Sequence, residues 1–385
     1  MKQEPVQNIG TPHTQNDQLS LSKPSQTESQ LPVMEVPGTD ISKFMALQGT
    51  PRRQSMQGFD TDYVDIVDYI VRVTHRIWEE KAIGLIYDTY SQDALIHTSD
   101  GNSYGRDRVV EETIKRIASF PDLRVIAVDV IWSGNDKDGF HSSHRIAWTG
   151  TNTGWSSYGP PTNRRATRMN VAHCFVKENR LVEEWLAGEH INVMWGLGLD
   201  AHQIAKETAA QEAAAGLKPP MPLNRGEIER IVGQTTPQPL PPKPDQFELE
   251  SFVHRFYQEV WNWRMLNKVN EYCEPNYQSH VPTSRDLFGL GDYKGYILGL
   301  MAAFPDLMMS VDHICYLGNE TEGFRVAVRW WLQGTHTGPG SYGRPSGKRI
   351  QLLGFTHFLL KNGKFVKEWT FFDEFSLLKQ IYWPS

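Results

Sequence analysis

An internal repeat constrains the fold of this 385-residue chain more than any other sequence feature. The sequence Phe-Pro-Asp-Leu at 120–123 recurs at 304–307, a shift of 184 residues. The sequence Gly-Thr-x-Thr-Gly at 150–154 recurs at 334–338 with the same shift. A constant shift over about 80 residues is typical of homologous domains in tandem. It predicts two copies of one domain in which residue n superposes on residue n+184.

Both copies show the same order of predicted elements. Apolar residues fall at helical spacing over 61–80 and again over 246–263. A short second helix, a histidine-bearing strand and a helix that ends before the Phe-Pro-Asp sequence follow, because proline discourages helix continuation. Four more strands complete each copy. Helices followed by an antiparallel sheet predict an α+β fold, with domains at 60–200 and 245–385.

Two segments lie outside the predicted domains. Residues 1–59 are rich in Gln, Ser, Thr and Pro, with Phe44 and Phe59 as the only aromatic residues, which predicts a disordered segment. A short docking piece around Phe44 is the alternative that stays open. Residues 201–244 begin with an Ala-rich stretch over 201–215, interpreted as a solvent-exposed helix, and continue as a Pro-rich linker.

The composition argues against several classes of protein. A formal net charge of −6 argues against a nucleic-acid binder. Cys174, Cys273 and Cys315 are far apart and odd in number, and no Cys/His cluster with ligand spacing is visible, so no disulfide framework, metal or cofactor is predicted. No apolar run reaches the length of about 18 residues that a membrane span needs. With no apolar leader and a reducing compartment favoured, the predicted location is cytoplasmic.

The order of the motifs resembles that of the SnoaL-like polyketide cyclases (ester cyclases), a branch of the NTF2-like superfamily. The second copy carries the resemblance best, in His280 and in the sequences at 304–307, 334–338, 342–348 and 363–373. The resemblance implies two tandem cone-shaped NTF2-like domains, each with N-terminal helices packed on a curved antiparallel sheet around an apolar pocket. It also implies a cofactor-independent lyase or isomerase that closes a ring by intramolecular aldol-type acid/base chemistry. The family aspartate near the end of the last strand is Asp373 here.

Strand alternation then suggests which side chains share the pocket of the second copy. The predicted catalytic residues, which combine a carboxyl group with possible oxyanion donors, are Asp373, His336, His357 and His280. The predicted substrate-binding residues, which are aromatic, are Trp330, Phe355, Trp369, Phe371 and Tyr342. Burial among these rings is expected to raise the pKa of Asp373 and suit it to act as a base.

The first copy departs from the pattern at two positions. Its counterparts to the predicted site are His97, Asn152, His173, Trp185 and Glu189. Asn152 replaces the motif histidine and Glu189 replaces the motif aspartate, so the second domain is predicted to be the active one.

Structural interpretations compete with these roles. Asp373 can cap the following helix, the histidines can be core or turn residues, and the tryptophans can be core. The expected partner is an apolar carbonyl-containing small molecule, with no nucleic acid and no membrane. A non-catalytic binding protein, a scaffold built as an intrachain pseudo-dimer, and a dehydratase or epoxide hydrolase are the alternatives. Homo-oligomerisation stays open.

Overall fold

The computed structural model describes residues 31–220, 240 and 242–384. Residues 1–30 of the predicted disordered segment and most of the predicted Pro-rich linker lie outside the described residues.

The first half of the chain consists of helices followed by a sheet. Its helices are α1 (Ile41–Met45), α2 (Ile66–Trp78), α3 (Ile86–Thr89), α4 (Arg106–Ser119), α5 (His190–Leu197) and α6 (Ala201–Ala214). Its strands are β1 (Tyr90–Thr98), β2 (Gly101–Tyr104), β3 (Arg124–Asn135), β4 (Gly139–Thr151), β5 (Arg165–Lys177) and β6 (Arg180–Gly188).

The second half repeats this plan. Its helices are α7 (Leu249–Phe256, continued by a π-helical turn at Tyr257–Asn262), α8 (Val269–Tyr272), α9 (Gly289–Ala303) and α10 (Glu374–Tyr382). Its strands are β7 (Cys273–Val281), β8 (Arg285–Phe288), β9 (Met308–Asn319), β10 (Gly323–Thr335), β11 (Arg349–Lys361) and β12 (Lys364–Phe372).

Each half has one six-stranded sheet with the same strand order. The orders are β2-β1-β6-β5-β4-β3 and β8-β7-β12-β11-β10-β9. The register also repeats, since Thr151 lies opposite Arg165 and Thr335 lies opposite Arg349. The α+β fold class and the common topology of the two halves are therefore confirmed.

The sheets are mixed rather than antiparallel. Strand β1 pairs in parallel with β6, and β7 pairs in parallel with β12. Strands joined by short hairpins must run antiparallel, whereas β1 and β6 are separated by a long connection, which permits parallel pairing. The predicted purely antiparallel sheet is wrong at this one strand pair in each half.

The two sheets pack against each other through the faces that do not carry their own helices. Trp330 on β10 belongs to the core beneath the helices of the second half. Trp331, the next residue, belongs to a cluster with Val171 and Trp185 of the first half. Adjacent residues of a strand point to opposite faces of the sheet, so β10 contributes to both layers.

Equivalent contacts cross this interface in both directions. The guanidinium of Arg145 lies 3.8 Å from the ring centre of Trp369, and that of Arg329 lies 3.5 Å from the ring centre of Trp185. Arg145 and Arg329 occupy equivalent positions in the repeat, as do Trp185 and Trp369. The two stacking contacts are therefore one contact made twice, as expected for an approximate two-fold axis.

The segment before the first domain is more ordered than its composition predicts. Phe44 on α1 is 1% exposed, and Phe59 is also buried in the core of the first half. The described part of the segment, 31–59, therefore packs on the first half, while the disorder predicted for the segment as a whole stays a prediction. The few apolar residues suffice because nearly all of their surface is buried.

The Ala-rich stretch forms helix α6, but this helix is not free in solvent. Ala201, Ala205 and Ala209 are buried, and Glu212 accepts hydrogen bonds from Lys379 on α10. Small side chains let the two helices approach closely, so α6 connects the first half to the last helix of the second. None of the described helices is both long and apolar enough to cross a bilayer.

Candidate functional site

A cavity of about 500 Å³ lies between the helices and the inner face of the sheet in the first half. This volume is within the range of small-molecule sites, about 300–1,000 Å³. Much of its wall is apolar, for example Ile70 and Ile77 from α2, Val109 from α4, and Ile146 from β4. The first half therefore has room for a drug-sized molecule.

The corresponding space in the second half is filled. Only about 20 Å³ remains there, lined in part by Trp330, Tyr293 and Phe372. Four residues of the second half are larger than their counterparts in the first. They are Trp330 in place of Ile146, Tyr277 in place of Ala94, Tyr293 in place of Val109 and Phe372 in place of Gly188. Among the described residues, these differences explain why a large cavity is present in the first half and not in the second.

An Asp–His pair from the two halves lies in the wall of the cavity. His190 begins α5, directly after the last strand of the first half, and its Nδ1 lies 2.6 Å from Oδ2 of Asp373. Both side chains line the cavity, and Asp373 is 1% exposed. An ionised Asp373 makes Nδ1 the donor and leaves the lone pair on Nε2, which hydrogen-bonds to no other described residue.

Asp373 also caps α10, since its Oδ1 accepts a hydrogen bond from the backbone N–H of Phe375 at 2.9 Å. Burial alone would raise the pKa of Asp373, but His190, the Phe375 N–H and the positive charge of Arg168 together hold that pKa below its ordinary value. The expectation of a raised pKa is wrong for this reason. Asp373 is suited to orient His190 and balance its charge rather than to remove protons itself.

A second carboxyl group, that of Glu184 on β6, lines the same cavity. Burial raises its pKa to about 7. Its nearest polar neighbours are the hydroxyl of Tyr90 at 3.4 Å and the thiol of Cys174 at 3.7 Å. The group is therefore poised to give or take a proton near neutral pH.

The equivalent carboxyl group in the filled half is enclosed by protein donors. Glu368 accepts hydrogen bonds from the hydroxyls of Tyr277, Ser279 and Tyr293. Burial raises its pKa to about 7 as well. Glu368 thus has a similarly raised pKa but only the residual space of about 20 Å³ beside it, which makes it a natural control.

Two arginines add positive charge to the cavity of the first half. Arg116 on α4 and Arg168 on β5 both line it, and leucines replace them in the second half, at Leu300 and Leu352. Burial lowers the pKa of Arg168 to about 10, so the side chain remains protonated at neutral pH. The Nε atom of Arg168 is buried without a hydrogen-bond partner among the described residues. The pair can stabilise a negative oxygen on a bound molecule.

Three of the second-copy residues predicted for the site lie in separate places. The backbone and Nδ1 of His336 hold the loop at 346–348, which supports the alternative of a turn residue. His280 stacks on Trp369 and hydrogen-bonds to Asp286. The hydroxyl of Tyr342 donates to Glu374. The structure brings none of these three side chains next to Asp373.

The other predicted residues of the second copy divide between the two faces of the sheet. Trp330 does point to the inner face, where its indole N–H donates to Thr356. Phe355, Phe371 and Trp369 instead pack in the cluster between the halves. His357 also lies between the halves, with its Nε2 2.8 Å from the hydroxyl of Ser143. In β11, and in β12 from Lys367 onward, the face predicted to line a pocket is the one that packs on the other half, whereas the face of β10 that carries Trp330 lies toward the helices.

The first-copy counterparts also have structural surroundings. His97 stacks on Trp185 at 5.0 Å between ring centres and contacts Glu183 at 2.7 Å. Asn152 holds the loop at 154–162 through its side-chain amide. Glu189 accepts from the backbone N–H of Ser284 in the second half at 3.3 Å. None of these three side chains is among the residues that line the cavity.

His173, the fifth counterpart, lies between the halves near His313, on the face of the sheet opposite the cavity. Of the predicted site residues, only Asp373 is found in the wall of the large cavity. The sequence interpretation missed Glu184, Arg116, Arg168 and His190. One sequence signal pointed to Glu184, because a Glu-Trp pair recurs in both copies.

Residues 251–381 match the family model described as SnoaL-like polyketide cyclase, which covers about a third of the chain. The second half thus contains a domain of this NTF2-like class. No curated protein matches the chain.

Solved structures similar to this chain include one described as a SnoaL-like polyketide cyclase from Jannaschia sp. CCS1. It is 21% identical, with a TM-score of 0.33, and the match covers 37% of this chain and 100% of that one. IdmH, provisionally described as a polyketide cyclase from Streptomyces antibioticus, is 20% identical with a TM-score of 0.30, covering 35% and 99%. AclR, provisionally described as a hydroxylase from Streptomyces galilaeus, is 21% identical with a TM-score of 0.30, covering 35% and 85%.

Proposed function

We propose that the chain is a lyase or isomerase of the polyketide-cyclase type whose working cavity is in the first half. The observation that carries this proposal is the coexistence, in one cavity of about 500 Å³, of the His190–Asp373 pair, the high-pKa carboxyl group of Glu184 and two arginines. The family match of the second half supports the reaction class. The proposed substrate is a polyketide-like molecule with an apolar body and at least two carbonyl groups.

The proposed reaction is an intramolecular aldol addition. Nε2 of His190 removes a proton from the carbon next to one carbonyl group, and the negative oxygen of the resulting enolate is stabilised by Arg116 or Arg168. The enolate carbon attacks the second carbonyl carbon and forms the ring. Glu184, protonated for part of the time near neutral pH, donates its proton to the new alkoxide, and the proton on His190 returns to Glu184.

The test is to screen open-chain β-keto esters and polyketide mimics for cyclised product with the full chain. His190→Gln and Glu184→Gln are then compared with Glu368→Gln, which makes the same change as Glu184→Gln in the filled half. Removal of an acid/base group is expected to lower kcat by about 100-fold or more, while Glu368→Gln should retain activity.

Full activity in both single variants, His190→Gln and Glu184→Gln, would contradict the proposal. Tight binding of the mimics with no turnover by the parent protein would instead support the alternative of a non-catalytic binding protein. The alternative of a scaffold protein predicts that none of the mimics binds at the cavity.

A further inference from the structure

Three histidines from different strands meet between the two halves, on the face of each sheet that points away from the cavity. His141 lies on β4, His173 on β5 and His313 on β9, so two come from the first half and one from the second. The ring centres of His141 and His313 are 4.2 Å apart, and those of His173 and His313 are 5.0 Å apart. One ring nitrogen from each histidine lies within 4.8 Å of the other two.

The ring nitrogens of this cluster have no other use in the described structure. Both nitrogens of His173, which is fully buried, lack a hydrogen-bond partner among the described residues. The same is true of the buried Nδ1 atoms of His141 and His313. Buried polar nitrogens without partners are costly, so four in one cluster call for a missing partner.

The approximate two-fold axis provides an internal comparison. The equivalents of His141, His173 and His313 are Arg325, His357 and Asp129. At that second location, Arg325 donates to Asp129 at 2.7 Å, and the hydroxyl of Ser143 lies 2.8 Å from Nε2 of His357. An ion pair and a hydroxyl thus supply partners there, and of these groups only Nδ1 of His357 is buried without a hydrogen-bond partner among the described residues.

The three-histidine location lacks both of these partners. Two histidines stand in place of the ion pair, and Ala327 stands in place of Ser143, which removes the hydroxyl that could have bonded to His173. Where the equivalent location has an ion pair and a hydroxyl, this one has three imidazoles that face one another.

One positive charge lies near the cluster. The guanidinium of Arg329 donates to the carboxylate of Asp312 at 2.6 Å, which balances part of that charge.

We propose that His141, His173 and His313 bind a divalent transition-metal ion, such as zinc, between the two halves. Imidazole nitrogens suit zinc, copper and nickel. Zinc–nitrogen bonds of about 2.0–2.1 Å place tetrahedral ligand atoms roughly 3.3 Å apart, a distance that small ring rotations can reach. His141 and His313 are only half-buried, so a fourth position is open to water. An ion bound here would link the halves directly.

The experiment uses the full chain without an affinity tag and titrates it with Co²⁺, the spectroscopic substitute for zinc. One equivalent should bind, with the visible absorption of a four-coordinate site, and Zn²⁺ should displace it. Substoichiometric or non-saturating binding would overturn the proposal. The thermal midpoint should rise with Zn²⁺ in proportion to occupancy, because the ion binds the folded state.

Variants identify the ligands. His313→Gln and His141→Gln should each weaken Co²⁺ binding by about tenfold or more and abolish the stabilisation by Zn²⁺. His357→Gln, the change at the two-fold equivalent of His173, should leave Co²⁺ binding unchanged. Unchanged binding in both His313→Gln and His141→Gln would contradict the site.

A second measurement on the parent protein guards against variants that fail to fold. Electron paramagnetic resonance of the Cu²⁺-loaded chain should show hyperfine coupling to imidazole nitrogens. A spectrum without nitrogen coupling would also overturn the proposal.

Discussion

His190 of the first half donates a hydrogen bond to Asp373 of the second half over 2.6 Å, in the wall of a cavity that belongs to the first half. In the proposed reaction, neither half supplies all of the acid/base residues. It also reconciles two sequence interpretations of Asp373, because one carboxyl oxygen caps α10 while the other holds His190. The first half, which contains the cavity, therefore depends on the second half for Asp373, the residue that orients His190.

A double-mutant cycle on His190 and Asp373 tests whether the two residues act as a unit. Asp373→Asn keeps an oxygen that can cap α10 but loses the negative charge, and we expect a fall in kcat/KM of about 100-fold. The double variant His190→Gln/Asp373→Asn should be little worse than His190→Gln alone, because residues that act together are not additive. Losses that multiply would show that the two residues act independently. Glu189→Gln, at the equivalent position, is the control and should retain activity.

Glu184 should contribute a loss of stability as the pH rises from about 4.5 to 7, opposite in sign to the gain from buried histidines such as His173 and His313, whose pKa burial lowers. The pKa of Glu184 is raised to about 7 in the folded chain, above its ordinary value of 4.5, so the folded state keeps a proton that the unfolded state releases. At about 1.4 kcal/mol per pK unit, the loss is about 3 kcal/mol.

Glu368 has a similarly raised pKa and should contribute a similar loss. Relative to the parent, Glu184→Gln and Glu368→Gln should each shift the slope of the free energy of unfolding against pH in the positive direction, measured by urea denaturation between pH 5 and pH 8. A slope that neither variant changes would contradict the burial of both carboxyl groups.

Introducing the cavity-filling residues of the second half at the equivalent positions should close the cavity of the first half. Trp330 fits because Gly354 lies beneath it; a Cβ on Gly354 would come within 2.1 Å of the indole ring. The matching double variant is Ile146→Trp/Asn170→Gly, which copies both residues. We expect it to fold with a similar thermal midpoint and to lose ligand binding, measured by calorimetry with any molecule that binds the parent. Asn170→Gly alone is the control and should still bind, and binding retained in the double variant would place the ligand elsewhere.

The segment before the first domain should contribute to stability. Phe44 is 1% exposed, so Phe44→Ala should lower the free energy of unfolding by about 3–5 kcal/mol through lost burial and a new cavity. Phe288→Ala removes the same ring at a position that is 65% exposed, and should change stability by no more than about 0.5 kcal/mol. Equal effects in urea denaturation would mean that the contacts of Phe44 do not stabilise the fold.

The repeat was enough to predict the fold class, because matching motifs at one shift require matching elements. It could not show which sheet face lines a cavity, since both faces of β11 carry large apolar residues and both faces of β12 mix them with polar ones. Phe355 and Trp369 have the composition of a pocket lining and yet pack between the halves. Which face packs between the halves depends on the surface of the other half, and strand alternation carries no information about that surface.

Side-chain size in the sequence indicates which half keeps a cavity. The motif residues that the second copy retains favoured that copy, but side-chain volume at Ile146 and Trp330, and at Gly188 and Phe372, decides where space remains. Strand alternation could not find His190, because β6 ends at Gly188 and the turn into α5 redirects the chain.

The crossing contacts of Arg145 and Arg329 have a consequence for how such a protein can diverge. In an assembly of two identical subunits, every substitution at the contact appears twice, and an ion pair on one side of the axis must be repeated on the other. Joining the two copies in one polypeptide removes that obligation. Asp129 with Arg325 on one side and His313 with His141 on the other could never arise in a symmetric pair, so the fusion itself is what allowed each side to acquire its own chemistry.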